Sequence, residues 1–508
     1  NYAQAHTQYQ RALRCIESSS DPLMRARFIT LAGDVLRKQG RAAEAVRRYT
    51  RAVDVIVEAQ GNVSPHLILP LRSLGVVHKK MGEYSTAASF LSRAMELLED
   101  VHGPDHPDYT LLALDLADVH RKQGRYDLAT AQYHRTLSVL EERFGPDHPE
   151  IGEVLNSLGL VHKKQSRYVE AREAYQRALR VVQAAFGSEH YKCAVLRCNV
   201  GDVERKLGNY SAALEIYAVA LSCLRASLGD AHPEVAEVLN SIGLVYKKMA
   251  QYDEAERCYR EAIGIIEAEY GHAHVKRGLF LNNLADVYRK RKCHAEGLCI
   301  YEQARGIIGA SLGAEHSEVA EVLHNMALVR VEQGEYATAS SLLDDALRMV
   351  HAELGPAHPK SGLYRATQGA LLAKMGNTSG AERALQAALR ILRAALGPRH
   401  PEVADVLVAV GDLCVSMHVP QRAVRAWQRA HAIILHCFGP THPKASQIAE
   451  SLAHIGGSPA DPADTASMKA QSVRPGSRKT ADRRQDAASQ HAILVNWLMM
   501  NTVMNGAL

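Results

Sequence analysis

The chain has 508 residues, a 47% hydrophobic fraction and a formal net charge of +5, which makes it too long for one ordinary globular core and too apolar for a disordered polymer. Only six Phe and two Trp accompany that apolar content, so Ala, Leu and Val carry it, a mix suited to packed helices. Nine cysteines, an odd count without a C-x-x-C pair, argue against a disulfide framework and point to reduced thiols in a cytoplasmic protein.

No signal-peptide pattern opens the sequence, and no apolar run approaches the ~20 residues that span a bilayer. Asn1 already falls inside a helical pattern, as expected of a chain with sequence upstream, and a leading helix B is expected over about residues 3–17. From about residue 26 to residue 437 one unit repeats ten times. Gly61, Gly103, Gly145, Gly187, Gly229, Gly271, Gly313, Gly355, Gly397 and Gly439 are each 42 residues apart. From Gly103 onward each is followed three residues later by a histidine, His106 through His442, often with proline next.

Three further columns of small residues keep the same spacing. One runs from Gly33 to Gly411, one from Ala45 to Ala423, and one from Ala52 to Ala430. Small residues in phase are what close helix approach requires, because interaxial distances of ~8–10 Å leave no room for larger side chains at a crossing. Each unit reads as two helices. Helix A, as in 151–164, places Val154, Leu155, Leu158 and Val161 on one face; helix B, as in 168–186, does so with Ala171, Tyr175, Ala178 and Val182. A Gly-x-Tyr turn joins the two, and G-x-x-H-P ends helix B and opens the next helix A. The histidine column is expected to order this junction, since its members are a whole repeat apart and cannot share a metal ion. A last helix A, about 443–455, closes the array.

This pattern resembles the tetratricopeptide repeat, and in its 42-residue length it is similar to the kinesin light chain and nephrocystin type. Phrases such as LNNLADVYRK (281–290) and EVLNSIGLVYKK (237–248) carry the likeness. The resemblance implies an all-α fold, a right-handed superhelical solenoid of antiparallel helix pairs over residues 1–456, with helix A lining its concave face. It also implies a non-enzymatic scaffold or adaptor whose partners are other proteins, cytoskeletal or motor components among them. A structural subunit of a cytoskeletal or ciliary assembly is the alternative. A kinesin light chain also needs an upstream heptad coiled coil, and none is present here.

A doublet of bases ends helix A in seven successive repeats: Arg37–Lys38, Lys79–Lys80, Arg121–Lys122, Lys163–Lys164, Arg205–Lys206, Lys247–Lys248 and Arg289–Lys290. The later repeats keep only Arg330, then Lys374, then neither. Repulsion between rungs is tolerable, about 0.4 kcal/mol for two charges ~10 Å apart in water. The doublets read either as compensation of the helix dipole or as a groove for acidic or extended peptide segments. Asn199, Asn283 and Asn325 share one repeat position and are candidates for amide contacts to such a peptide. A finer period is visible as well. Asp34, Asp118, Asp202 and Asp286 alternate with Val76, Leu160 and Leu244, so a two-repeat module was duplicated.

Other chemistry is not signalled. There is no phosphate-binding glycine loop, no H-E-x-x-H and no spaced Cys/His set, so neither a catalytic residue nor a cofactor or metal is expected. The basic column is not interleaved with exposed aromatics, which argues against nucleic acid. Past residue 456 the composition turns to Ser, Pro, Ala, Asp and Arg, a disordered linker over 457–490. A short apolar segment follows at 491–508, too short to cross a membrane.

Overall fold

Two apolar stripes of helical period, separated by residues that cannot continue a helix, make each 42-residue unit a helix pair. The computed structural model describes residues 21–39, 41–103 and 107–456. Among these it holds 21 α-helices, one 3₁₀ turn (Pro65–Leu67) and no strand. The expected leading helix at 3–17, His106, the 457–490 linker and the 491–508 segment lie outside the described residues.

Contacts divide the chain into two units, one ending at Val161 and one beginning at His162. The first contains α1 (Pro22–Lys38), α2 (Ala42–Gln60), α3 (Ile68–Lys80), α4 (Tyr84–His102), α5 (Pro107–Lys122) and α6 (Tyr126–Phe144). The division falls inside α7 (Pro149–Lys164). The second contains α8 (Tyr168–Phe186), α9 (Tyr191–Leu207), α10 (Tyr210–Leu228), α11 (Pro233–Lys248), α12 (Tyr252–Tyr270), α13 (Val275–Lys290) and α14 (His294–Leu312). It continues through α15 (Ser317–Gln333), α16 (Tyr336–Leu354), α17 (Pro359–Lys374), α18 (Thr378–Leu396), α19 (Pro401–Ser416), α20 (Pro420–Phe438) and α21 (Pro443–His454). Odd-numbered helices are helix A and even-numbered ones helix B. The fold is therefore the expected all-α tandem array of antiparallel pairs.

Within a pair, a large side chain of helix B presses on the small column of helix A. Tyr49, Tyr217 and Tyr259 are fully buried, and a Cβ on the facing Gly33, Gly201 or Gly243 would come within 3.0 Å of the ring. In the tenth pair Trp427 takes the tyrosine's place over Gly411, with its indole N–H donating to the Val408 carbonyl at 3.3 Å. The alanine columns are buried to the same depth, Ala213 and Ala220 at 0% exposure among them. Loss of a buried large apolar side chain from such a core costs about 2–5 kcal/mol.

The strict glycine column has a backbone cause. Gly187 ends α8 at φ 85°, ψ 162°, a region essentially closed to residues with a Cβ.

The histidines secure the next step. In His148, His190, His232, His274, His316, His358, His400 and His442 the ring Nδ1 accepts the backbone N–H two residues on, at 3.1–3.4 Å. Each therefore caps a helix A, a task usually given to Ser, Thr, Asp or Asn. Where helix B ends in an aromatic, the same ring stacks on it: Phe144 on His148 and Phe186 on His190, at 4.5 and 4.9 Å between centroids. One imidazole thus holds both sides of the turn, which is why the column orders the junction.

One sequence expectation needs correction. α10 is long and apolar enough, by length and composition, to cross a membrane. Its apolar excess has a structural use here, because Ala213, Tyr217, Ala220, Cys223 and Leu224 pack into the repeat core at the usual register.

Candidate functional site

The base doublets end helix A in the first seven pairs, and the structure splits each doublet into two unlike positions. The first base is ion-paired. In the first unit Arg37 meets Asp34 at 3.3 Å, and Lys79 reaches across one repeat to Asp115 (3.0 Å) and Asp118 (3.2 Å). Arg121 closes on the same Asp118 from one turn away. The second unit repeats the arrangement twice. Asp202 sits between Lys163 (3.1 Å) and Arg205 (3.2 Å), and Asp286 between Lys247 (2.9 Å) and Arg289 (2.6 Å). Arg289 also pairs with Glu332. The two-repeat period is this Lys–Asp–Arg clasp: a Lys from an even repeat, an Asp and an Arg from the odd repeat that follows.

These carboxylates are held firmly ionised. Burial alone would raise the pKa of Asp286, but Lys247 and Arg289 outweigh it and bring it down to about 2. Asp118 and Asp202 are lowered against burial in the same way, by Lys79 with Arg121 and by Lys163 with Arg205. The helix-B tyrosine joins the clasp from below: Tyr49 donates to Asp34 at 2.7 Å and Tyr217 to Asp202 at 2.8 Å.

The second base of every doublet is exposed: Lys38, Lys80 and Lys122 in the first unit, and Lys164, Lys206, Lys248 and Lys290 in the second. None of the seven has an ion-pair partner among the described residues. Lys206 and Lys248 are crowded by protein on their inner sides. That crowding, with Arg205 and Lys247 respectively as the nearest cationic influence, lowers both pKa values.

The asparagines are engaged too. Asn283 donates to Asn240 at 2.9 Å and Asn325 to Asn282 at 3.1 Å, each 43 residues back. Asn199 is half-buried and also partnered. The same rung is made by Arg72 with Asp115 and by His324 with Thr367. This column is therefore an inter-repeat ladder. Its sequence signal was residues of complementary hydrogen-bonding type 43 apart, one more than the period.

Past the seventh pair the helix-A face changes character. Arg330 is tied to Glu335 at 2.9 Å, and Lys374 is exposed. A cavity of about 500 Å³ opens there across α15, α17 and α19, with Leu328, Leu363 and Val406 beside the stacked rings of His324 and Tyr364. Lys360 pairs with Glu318 (3.2 Å) and Glu321 (2.9 Å) at its rim. Among the described residues, no three His, Cys, Asp or Glu side chains are grouped to hold a metal ion.

A family model described as tetratricopeptide repeat matches residues 25–100, 67–129, 109–184, 150–226, 191–268, 277–352 and 361–433. No curated protein matches the sequence. Among solved structures, BtubC (BKLC) from P. vanneervenii is similar at 21% identity and a TM-score of 0.40, over 46% of this chain and 92% of its own. Nearly identical TPR-like repeats from a Podosopora anserina protein described as a kinesin light chain share 15% identity, with a TM-score of 0.37 over 41% of this chain and 98% of theirs. A Rap protein complexed with competence and sporulation factor shares 12%, with a TM-score of 0.48 over 85% of this chain and 99% of its own.

Proposed function

The chain belongs to the tetratricopeptide-repeat family, a fold of protein-interaction scaffolds, and from that premise we propose that it is a non-enzymatic scaffold that holds acidic, extended peptide segments on its helix-A face. The observation that carries this reading is the division within the doublets. Repeat clasping accounts for the first base. It does not engage the second lysine, which recurs at 42-residue spacing, exposed and without an ionic partner. A row of such lysines offers an acidic chain many modest contacts and steers its approach electrostatically.

The test uses the full chain and a fluorescein-labelled octaglutamate peptide, read by anisotropy over a salt series. Reversing two of the free lysines, Lys164→Glu with Lys290→Glu, is expected to weaken binding about tenfold and to flatten its salt dependence, since each tenfold step is about 1.4 kcal/mol. Unchanged affinity and salt slope would overturn the proposal.

A further inference from the structure

Within the second unit the last repeats return to touch the first. Tyr168, which opens α8, stacks on Phe438, which ends α20 more than six repeats later, with ring centroids 5.5 Å apart and planes at 12°. The contact sets Tyr168 apart from its counterparts. Tyr84, Tyr126, Tyr210, Tyr252 and Tyr336 are half-buried, whereas Tyr168 is 7% exposed. The turn beside it differs too: Ser166 stands where most turns have glycine, at φ 58°, and its hydroxyl lies 3.3 Å from the Tyr168 hydroxyl. One repeat further on, the α9–α10 turn is closed by the other end of the array. His442 is 7% exposed, and a Cβ on Gly208 would stand 2.9 Å from its ring.

This return brings acidic and basic groups of α19 and α21 over the free lysines. Lys206 lies in the field of Glu402 and His400, and Lys248 in that of Lys444 and His442. Asp405 is already taken by Lys444 at 2.6 Å. Glu402 is not so occupied. Its Oε2 is buried without a hydrogen-bond partner, close enough to Lys206 to feel its charge but not paired with it.

We propose that the last two repeats form a built-in latch on the peptide-binding face, with Glu402 standing as the resident acid opposite Lys206 and the Tyr168–Phe438 stack holding it there. The idea rests on the reading of the free lysines as the site for acidic segments. An incoming carboxylate at Lys206 meets the Glu402 charge, so binding is weakened while the latch is closed. Opening α19–α21 away from α8–α11 removes that charge and uncovers Tyr168.

Two variants separate the parts of the latch. Glu402→Gln removes the resident charge and leaves the aromatic contact. Tyr168→Ala removes the contact, and Ala42 at the same repeat position shows that alanine suits the repeat fold. Both are measured with the octaglutamate peptide on the full chain, beside the Lys164→Glu, Lys290→Glu variant, with circular dichroism to confirm folding. Each is expected to bind at least threefold more tightly than the native chain. Tyr168→Ala is also expected to speed amide exchange in α19–α21, which Glu402→Gln leaves unchanged. Native binding that depends on Lys164 and Lys290, with neither latch variant tighter, overturns the latch and leaves the scaffold reading standing. Absence of peptide binding in the native chain and in both latch variants overturns the scaffold reading, and the latch with it.

Discussion

Replacing Asp286 by Asn tests the Lys–Asp–Arg clasp at its most buried example. Asn keeps the size and one acceptor but removes the charge that Lys247 and Arg289 share at 2.9 and 2.6 Å. All three side chains are at most 20% exposed, so solvent screening discounts the interaction only modestly. A fall in the carboxyl pKa from 3.8 to about 2 corresponds to roughly 2 kcal/mol, at 1.36 kcal/mol per unit. Because the folded pKa is the depressed one, this stability is fully present above the unfolded value and fades as pH falls from about 4 through 2. Urea denaturation of the full chain at pH 7 should show Asp286→Asn less stable by about 2 kcal/mol. Amide exchange should localise the loss to α11–α14, since repeat arrays respond locally. In a double-mutant cycle with Lys247→Met, the coupling should exceed ~0.5 kcal/mol, as expected for neighbours in one network. A smaller coupling, or a deficit that does not narrow as the pH is lowered toward 2, would refute the clasp as a determinant of stability.

The cap at His400 makes the start of α19 acid-sensitive. Nδ1 must be unprotonated to accept its N–H, and burial with Lys206 nearby lowers His400 to about 4. Its stabilisation is therefore intact above pH 6.5 and lost as the pH drops toward 4, about 2 kcal/mol being gone at pH 5. His324, also about 4, titrates in the same window, so the diagnostic is a comparison: His400→Asn, a cap that does not titrate, should flatten the native slope of thermal stability between pH 7 and 5. An unchanged slope rejects the assignment. Gly411→Ala should destabilise the tenth pair by about 1–3 kcal/mol, because its Cβ would meet the Trp427 indole at 2.2 Å. The red shift of tryptophan emission on losing the Val408 hydrogen bond reports it, and a native spectrum and midpoint would contradict the packing argument. Asn283→Ala leaves Asn240 without its inter-repeat donor and should cost about 1 kcal/mol in urea denaturation; no change would show the ladder rung to be energetically silent.

The helix pairs, their boundaries and the small-residue crossings were legible in the sequence because each is a local rule repeated ten times. Glycine at Gly187 answers to a backbone region, and Ala220 answers to the space at a helix crossing. The charged columns were legible only as columns. Lys163 and Lys164 are adjacent, identical in chemistry and on the same helix end, yet one is spent on Asp202 while the other is free. The difference lies in a partner supplied by the neighbouring repeat, and sequence spacing does not say how two helices are turned toward each other. The histidines were recognisable as junction residues, but their capping role rests on a ring orientation that turns Nδ1 toward the N–H two residues on, as at His190 and His232.

By itself, then, the sequence determined the period, the all-α class and the positions of the bases, since these follow from near-neighbour sterics and a 3.6-residue period. Tertiary structure alone decided which bases are free, that Asn283 and Asn325 face other asparagines, and that Tyr168 meets Phe438. That last contact joins residues more than six repeats apart. It depends on the accumulated rotation of every intervening pair, a sum of small angles that no local pattern records.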